Sequence, residues 1–163
     1  MTAATIVLTV LSCLVLAVWA SRHLMIARER RTGFILTGDA PGPPDDAPKI
    51  SIVVAAKDEA ENIADCVRTM LDQDYPHIEL LVCDDRSTDG TAEIVERIAG
   101  EDSRLRLIRI TDLPSGWCGK NNAMQTGIAQ SDGEWVCMID ADCRQTSRRT
   151  LSVGMQHALD RGV

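Results

Sequence analysis

Ile78–Thr91 reads IELLVCDDRSTDGT, and this stretch decides the fold. Its first six residues, Ile78–Cys83, form a short, largely apolar run, the pattern of a parallel strand buried on both faces. Two carboxylates, Asp84 and Asp85, follow at once. Ser87-Thr-Asp-Gly then supplies turn and helix-start chemistry ahead of Ile94, Val95 and Ile98, whose spacing is helical, and Gly100 stops that helix.

The same unit recurs on either side. Ile50–Ala55 is a β-branched apolar run, and Asp58-Glu-Ala-Glu behind it predicts a helix opening with acidic residues in its first turn. Ile63, Val67, Met70 and Leu71 continue that helix until Tyr75-Pro76. Leu105–Ile110 alternates as a third strand, and its arginines mark the solvated face of an edge. Asn121–Ala129 reads as helix, Trp135–Ile139 as a fourth strand and Ser147–Asp160 as a further helix. Strands alternating with helices specify an α/β domain with a mostly parallel sheet, right-handed crossovers and flanking helices. Ligands of such sheets bind at the carboxyl ends of the strands.

The residues at those ends carry the chemistry. Ala55-Ala-Lys-Asp-Glu follows the first strand, Asp84 and Asp85 the second, and Asp140-Ala-Asp142 the fourth. Carboxylates gathered at one crevice repel one another unless a cation or a set of donors faces them. Asp140 and Asp142, spaced i and i+2, suit a hard divalent cation, Mn²⁺ or Mg²⁺, shared with substrate phosphates. As two solvated loop acids the pair would mean nothing; its place after an apolar strand, in line with a second acidic strand end, favours the metal. Asp84 and Asp85 suit a base N–H or ribose hydroxyls, whereas Asp89 and Gly90 read as structural. Lys120, behind Gly116-Trp-Cys-Gly119 at a helix start, suits a phosphate. Walker A and G-x-G-x-x-G glycine patterns are both missing from the sequence, which argues against a P-loop NTPase and a dinucleotide dehydrogenase.

Ahead of the domain, residues 4–20 carry no charge, and Thr2–Ser21 reaches the length of a bilayer span. Arg22, Arg28, Arg30 and Arg31 follow, which places the C-terminal side in the cytosol. A signal peptide would want positive charge before the run, and Met1–Thr5 has none. The expected organisation is therefore a transmembrane anchor with a basic juxtamembrane segment over 1–31, a Pro-rich linker over 32–48 and a ligand-binding domain over 49–163, anchored in the cytoplasmic membrane. The net charge of −7 excludes counterion-driven nucleic-acid binding. The six cysteines show neither C-x-x-C nor zinc spacing and read as reduced thiols.

Taken in order, Ile52-Val-Val-Ala-Ala-Lys-Asp-Glu-Ala-Glu-Asn-Ile63, Leu71-Asp-Gln-Asp-Tyr-Pro76, Glu79 through Thr91 and Asp140-Ala-Asp142 resemble the family-2 glycosyltransferases over about residues 49–145. The loop Leu113–Ala123, LPSGWCGKNNA, more loosely resembles membrane members of the ceramide, hopanoid and carotenoid type, which glycosylate lipids. The resemblance implies a GT-A fold, a UDP-sugar donor, a metal, inversion at the anomeric carbon, and a lipid or polysaccharide acceptor. Carried onto this chain, it implies donor-binding roles for Ala55, Lys57, Glu59, Asp84, Asp85, Lys120 and Asp140, with Asp142 as main metal ligand and Asp140 assisting. Ala55, Lys57 and Arg86 depart from the family's usual Pro, Arg/Tyr and Gly. The family's catalytic base comes from a later acidic motif and is expected beyond Val163, so the competing expectation is a module that binds nucleotide sugar without turnover. A nucleotidyltransferase would want a glycine-rich basic loop after the first strand, and a receiver domain would leave Asp140-Ala-Asp142 unexplained.

Overall fold

The computed structural model describes residues 2–32, 42 and 46–162, the side chains of 29–32 excepted. The chain divides into two units, Met1–Leu36 and Thr37–Val163.

The first unit holds helix α1, Ala3–Thr32. Over Ala3–Arg28 it is long and apolar enough to cross a membrane, and its side chains are exposed along that length. The linker expected at 32–48 lies mostly outside the described residues.

The second unit is a four-stranded parallel sheet in the order β3-β2-β1-β4, with β1 Ile50–Ala56, β2 Ile78–Asp85, β3 Leu105–Ile110 and β4 Trp135–Asp140. Helices α2 Ile63–Leu71, α3 Thr91–Ala99, α4 Gly119–Gln130 and α5 Thr150–Arg161 follow the strands in turn. The pleat divides the core in two. Ile52, Val54, Leu80 and Val82 face one way and pack with Ile63, Val67 and Met70 of α2, Val95 of α3 and Leu151 and Met155 of α5. Val53, Leu81, Cys83 and Ile108 face the other way and pack with Ala123 of α4. Both central strands are thus covered on both faces, which is why they read as continuous apolar runs. β4 alternates instead: Val136 and Met138, on the α4 side of the sheet, stay 39% and 57% exposed.

Two expected helix starts are displaced. Asp58-Glu-Ala-Glu is a loop, and α2 begins only at Ile63; Ser87–Gly90 is a turn, and α3 begins at Thr91. The cause is tertiary. The backbone N–H groups of Asp58, Glu59 and Ala60 donate to Ser87 Oγ, Thr91 Oγ1 and Asp89 Oδ2 at 2.8–2.9 Å, and Thr88 N–H donates back to Asp58 Oδ1 at 2.8 Å. These reciprocal bonds satisfy loop donors that a helix would otherwise have to leave to water. Asp58 adopts φ +53° to make them. Asp89 also accepts from the Thr91 N–H, so it orders the turn ahead of α3, whose N-cap is Gly90 at φ +95°. β2 runs through Asp84 and Asp85, both expected as loop residues.

The cysteines follow the same burial. Cys66 and Cys83 are buried, and burial pushes their thiols up to about 12 and about 11. Cys118 and Cys143 are exposed. Thiolate is the reactive species. Iodoacetamide at pH 8 is therefore expected to alkylate Cys118 and Cys143 in the native protein and to reach Cys66 and Cys83 only after unfolding. Mass spectrometry of the digested protein reads this directly, and rapid native labelling of Cys66 would contradict the packing of α2.

Candidate active site

The strand order places the topological switch between β1 and β4: the chain winds from β1 outward to β3, then returns to the far side of β1. A crevice opens at the carboxyl ends of the strands there. In register, Ala55 lies beside both Cys83 and Asp140, and Ala56 beside Asp84. The resulting cavity, about 430 Å³, is lined by Ala55, Ala56, Lys57, Glu59, Asp85, Arg86, Gly119, Lys120, Ala123, Asp140, Ala141 and Asp142. Its walls are small side chains, and its charges are three cations against four carboxylates.

The Asp-Ala-Asp turn works through its middle residue. Ala141 is buried in the core beside α2, whereas Asp140 and Asp142 on either side are exposed to the cavity. The turn closes with the Cys143 N–H donating to the Asp140 carbonyl at 3.1 Å. Lys120, in the first turn of α4, donates to Asp140 Oδ1 at 2.6 Å. That bond raises the ammonium's pKa.

Asp85 sits deeper. Arg86 grips it with a two-pronged pair, Nε to Oδ1 at 2.8 Å and Nη2 to Oδ2 at 2.9 Å. The fork holds the Asp85 carboxyl below the usual carboxylate range. A Cβ on Gly119 would lie 2.2 Å from Asp85 Oδ2, so only glycine lets α4 start this close to β2. Lys57 reaches across from the β1 loop to the carbonyls of Asp85 and Arg86, at 3.3 and 3.2 Å. Glu59 accepts a bond from Asn62 Nδ2 at 2.9 Å while lining the cavity.

The expected residues Ala55, Lys57, Glu59, Asp85, Lys120, Asp140 and Asp142 therefore meet in one cavity. Asp84 does not line it. The pleat turns Asp84 to the α2 and α3 side with Leu80 and Val82, where it is 4% exposed and its Oδ1 has no hydrogen-bond partner. Successive side chains of a strand point to opposite faces, and that parts Asp84 from Asp85 here. Ala56, Arg86, Gly119, Ala123 and Ala141 were not expected in the site. Of these, Gly119 had a sequence signal, as the glycine one residue before the phosphate-suited lysine.

Residues 51–160 match the family model for glycosyl transferase family 2. The chain belongs to the family-2 glycosyltransferases. It is similar to beta-monoglucosyldiacylglycerol synthase of Synechocystis sp., with 35% identity over 122 residues that make up 74% of this chain and 25% of that protein. It is also similar to the succinoglycan biosynthesis protein ExoO of Rhizobium meliloti, with 34% identity over 71% of this chain and 34% of that one. Among solved structures it resembles the mannosyltransferase PcManGT from Pyrobaculum calidifontis in complex with GDP-Man and Mn²⁺, with TM-score 0.71 and 28% identity over 93% of this chain and 44% of that chain. The fold alone is shared with S. aureus TarS, at TM-score 0.61 and 24% identity over 70% of this chain and 32% of that chain. The family-2 chain described here spans about a quarter to a third of the length of the curated relatives it matches.

The donor set fits a hard divalent cation in part. Asp140 and Asp142 offer carboxylate oxygens on the cavity wall, and the Lys120 ammonium already stands against Asp140 where positive charge is favoured. Among the described residues no group of three or more His, Cys, Asp or Glu side chains gathers as a ligand set. A metal here would need oxygens from the ligand itself, which is how Mg²⁺ and similar ions bind with nucleotide phosphates.

Proposed function

We propose that the cavity binds the donor of a glycosyl transfer, a nucleoside-diphosphate sugar and in the first instance a UDP-sugar, together with Mn²⁺ or Mg²⁺. The sugar would pass with inversion to a lipid or polysaccharide acceptor at the cytosolic face of a membrane. The observation that carries this reading is the meeting of Asp85, Lys120, Asp140 and Asp142 at the β1–β4 switch point, in one cavity of about 430 Å³. PcManGT, similar over 93% of this chain, is known in complex with GDP-Man and Mn²⁺, which supports the nucleotide-sugar and metal parts. The name of the Synechocystis relative, a glucosyldiacylglycerol synthase, supports a lipid acceptor. Helix α1 supports the membrane.

In this reading Asp140 and Asp142 would hold the metal, which when bound offsets charge on the departing nucleoside diphosphate. Lys120, freed from Asp140 by that cation, would turn its ammonium to a phosphate oxygen. Ala55, Ala56 and Ala123 leave room for the nucleoside, and Lys57 braces the turn after β2. These residues account for the donor side, and deprotonation of the acceptor is assigned to none of them.

Calorimetric titration of UDP into the full chain in detergent micelles tests the reading. Binding is expected with Mn²⁺ and is expected to vanish in EDTA. Equal binding in EDTA would remove the metal from the proposal, and binding of GDP in place of UDP would reassign the donor. A folded protein that takes neither nucleotide would refute the donor site.

A further inference from the structure

Asp85 lines the cavity yet its side chain is only 4% exposed, because Arg86 covers it. The guanidinium of Arg86, 36% exposed, is what the cavity sees. Both carboxylate oxygens of Asp85 are engaged by the fork, and Oδ2 is closed off on another side by the backbone of Gly119. Arg86 holds a left-handed backbone, φ +59°, that a residue with a side chain adopts only where its surroundings enforce it. The enforcing contacts are present. Lys57 donates to the carbonyl of Arg86 itself and to that of Asp85, and Asp85 fixes the far end of the side chain.

We propose that Arg86 is the residue of this chain that contacts the donor's nucleoside, with Asp85 and Lys57 as positioning residues that aim it. The inference rests on the donor-site reading above and changes what that reading asks of Asp85. Chemically the surface offered is different. A carboxylate only accepts hydrogen bonds, whereas a guanidinium only donates them, and five N–H groups are available. Asp85 takes two of them, and the remainder can donate to carbonyl oxygens of a base or to ribose oxygens. The flat faces of a guanidinium held in a planar fork also stack on aromatic rings, which a nucleobase supplies. The chain thus reads the nucleoside from its acceptor atoms and ring face, through a strained residue held from two sides.

The test uses the full chain in micelles with Mn²⁺ and three probes: UMP, UDP and inorganic pyrophosphate. Arg86→Gly removes the side chain and relieves the left-handed backbone, which works against the loss of the Asp85 ion pair, and its melting curve is recorded beside the parent's so that binding is compared between folded proteins. The variant is expected to weaken UMP and UDP by the same factor, about ten- to hundredfold for a lost charged hydrogen-bonding group, and to leave pyrophosphate unchanged. Arg86→Lys is expected to recover only part of the loss, since an ammonium cannot form the fork. Asp85→Asn is expected to weaken UMP in the parent but to add nothing in the Arg86→Gly background, as for a residue that acts through its partner. If Arg86→Gly binds UMP as well as the parent and Asp85→Asn still loses it, Asp85 is the contact and the proposal falls. An equal loss of pyrophosphate would move Arg86 to the phosphates and overturn the assignment as well. If the parent binds neither UMP nor UDP, the donor-site reading itself has failed and the inference goes with it.

Discussion

Asp142→Ala is expected to abolish manganese-dependent binding of UDP, a loss of at least about a hundredfold, or ~3 kcal/mol. The reason lies in how the two acids of the turn are used. Asp140 already gives Oδ1 to the Lys120 ammonium at 2.6 Å, whereas Asp142 acts on that lysine through space. Asp142 is therefore the carboxylate better placed to take a new cation. Its removal leaves a metal with one protein carboxylate and a lysine competing for that carboxylate. Asp140→Ala is expected to cost less, because the freed ammonium of Lys120 can serve a phosphate. Calorimetry with Mn²⁺ and with EDTA, beside the Mn²⁺ paramagnetic resonance signal without nucleotide, separates loss of metal from loss of nucleotide. Unchanged metal-dependent affinity in Asp142→Ala would remove that residue from the site.

Gly127→Val is expected to destabilise the second unit by about 3 kcal/mol through overpacking. Gly127 is the point where α4 crosses the sheet. A Cβ there would lie 2.4 Å from Val53 Cγ1 and 2.9 Å from Cys83 Sγ. Both neighbours are fully buried in the central strands, and a β-branched valine has little rotamer freedom with which to yield. The helix would have to lift off β1 and β2, carrying Gly119 and Lys120 away from Asp85 and Asp140. Even Gly127→Ala, which gains up to ~1 kcal/mol of helix propensity, is expected to lose net stability. Gly154→Ala in α5 is the control. Nothing lies within 4 Å of its would-be Cβ, so the propensity gain should stand alone. Denaturant midpoints at constant slope measure all three. A Gly127→Val midpoint equal to the parent's would mean that α4 does not sit on the sheet as described.

The strands were legible because burial leaves a local mark, a continuous apolar run in the central β1 and β2 and alternation in the outer β3 and β4: Ile50–Ala55, Ile78–Cys83, Leu105–Ile110 and Trp135–Ile139 all lie within the observed strands. The helix cores were legible from their spacing, and the strand ends from the acids that follow them. The helix starts were not. Asp58 and Ser87 carry good helix-start chemistry, and each spends it on the other's loop, a choice visible only when the two loops meet.

What the sequence determined by itself was the alternating β/α plan, the apolar N-terminal helix and the acids at the strand ends, since each depends on periodicity or composition within a few residues. Tertiary structure alone decided which of those acids reach the cavity. The pleat sends Asp84 to the opposite face and Asp85 inward, Arg86 then covers Asp85, and Lys120 crosses from α4 to meet Asp140. Those outcomes follow from strand order and helix placement, which bring together residues far apart in the sequence, such as Ala55 and Asp140, or turn neighbours apart, and no local pattern encodes them.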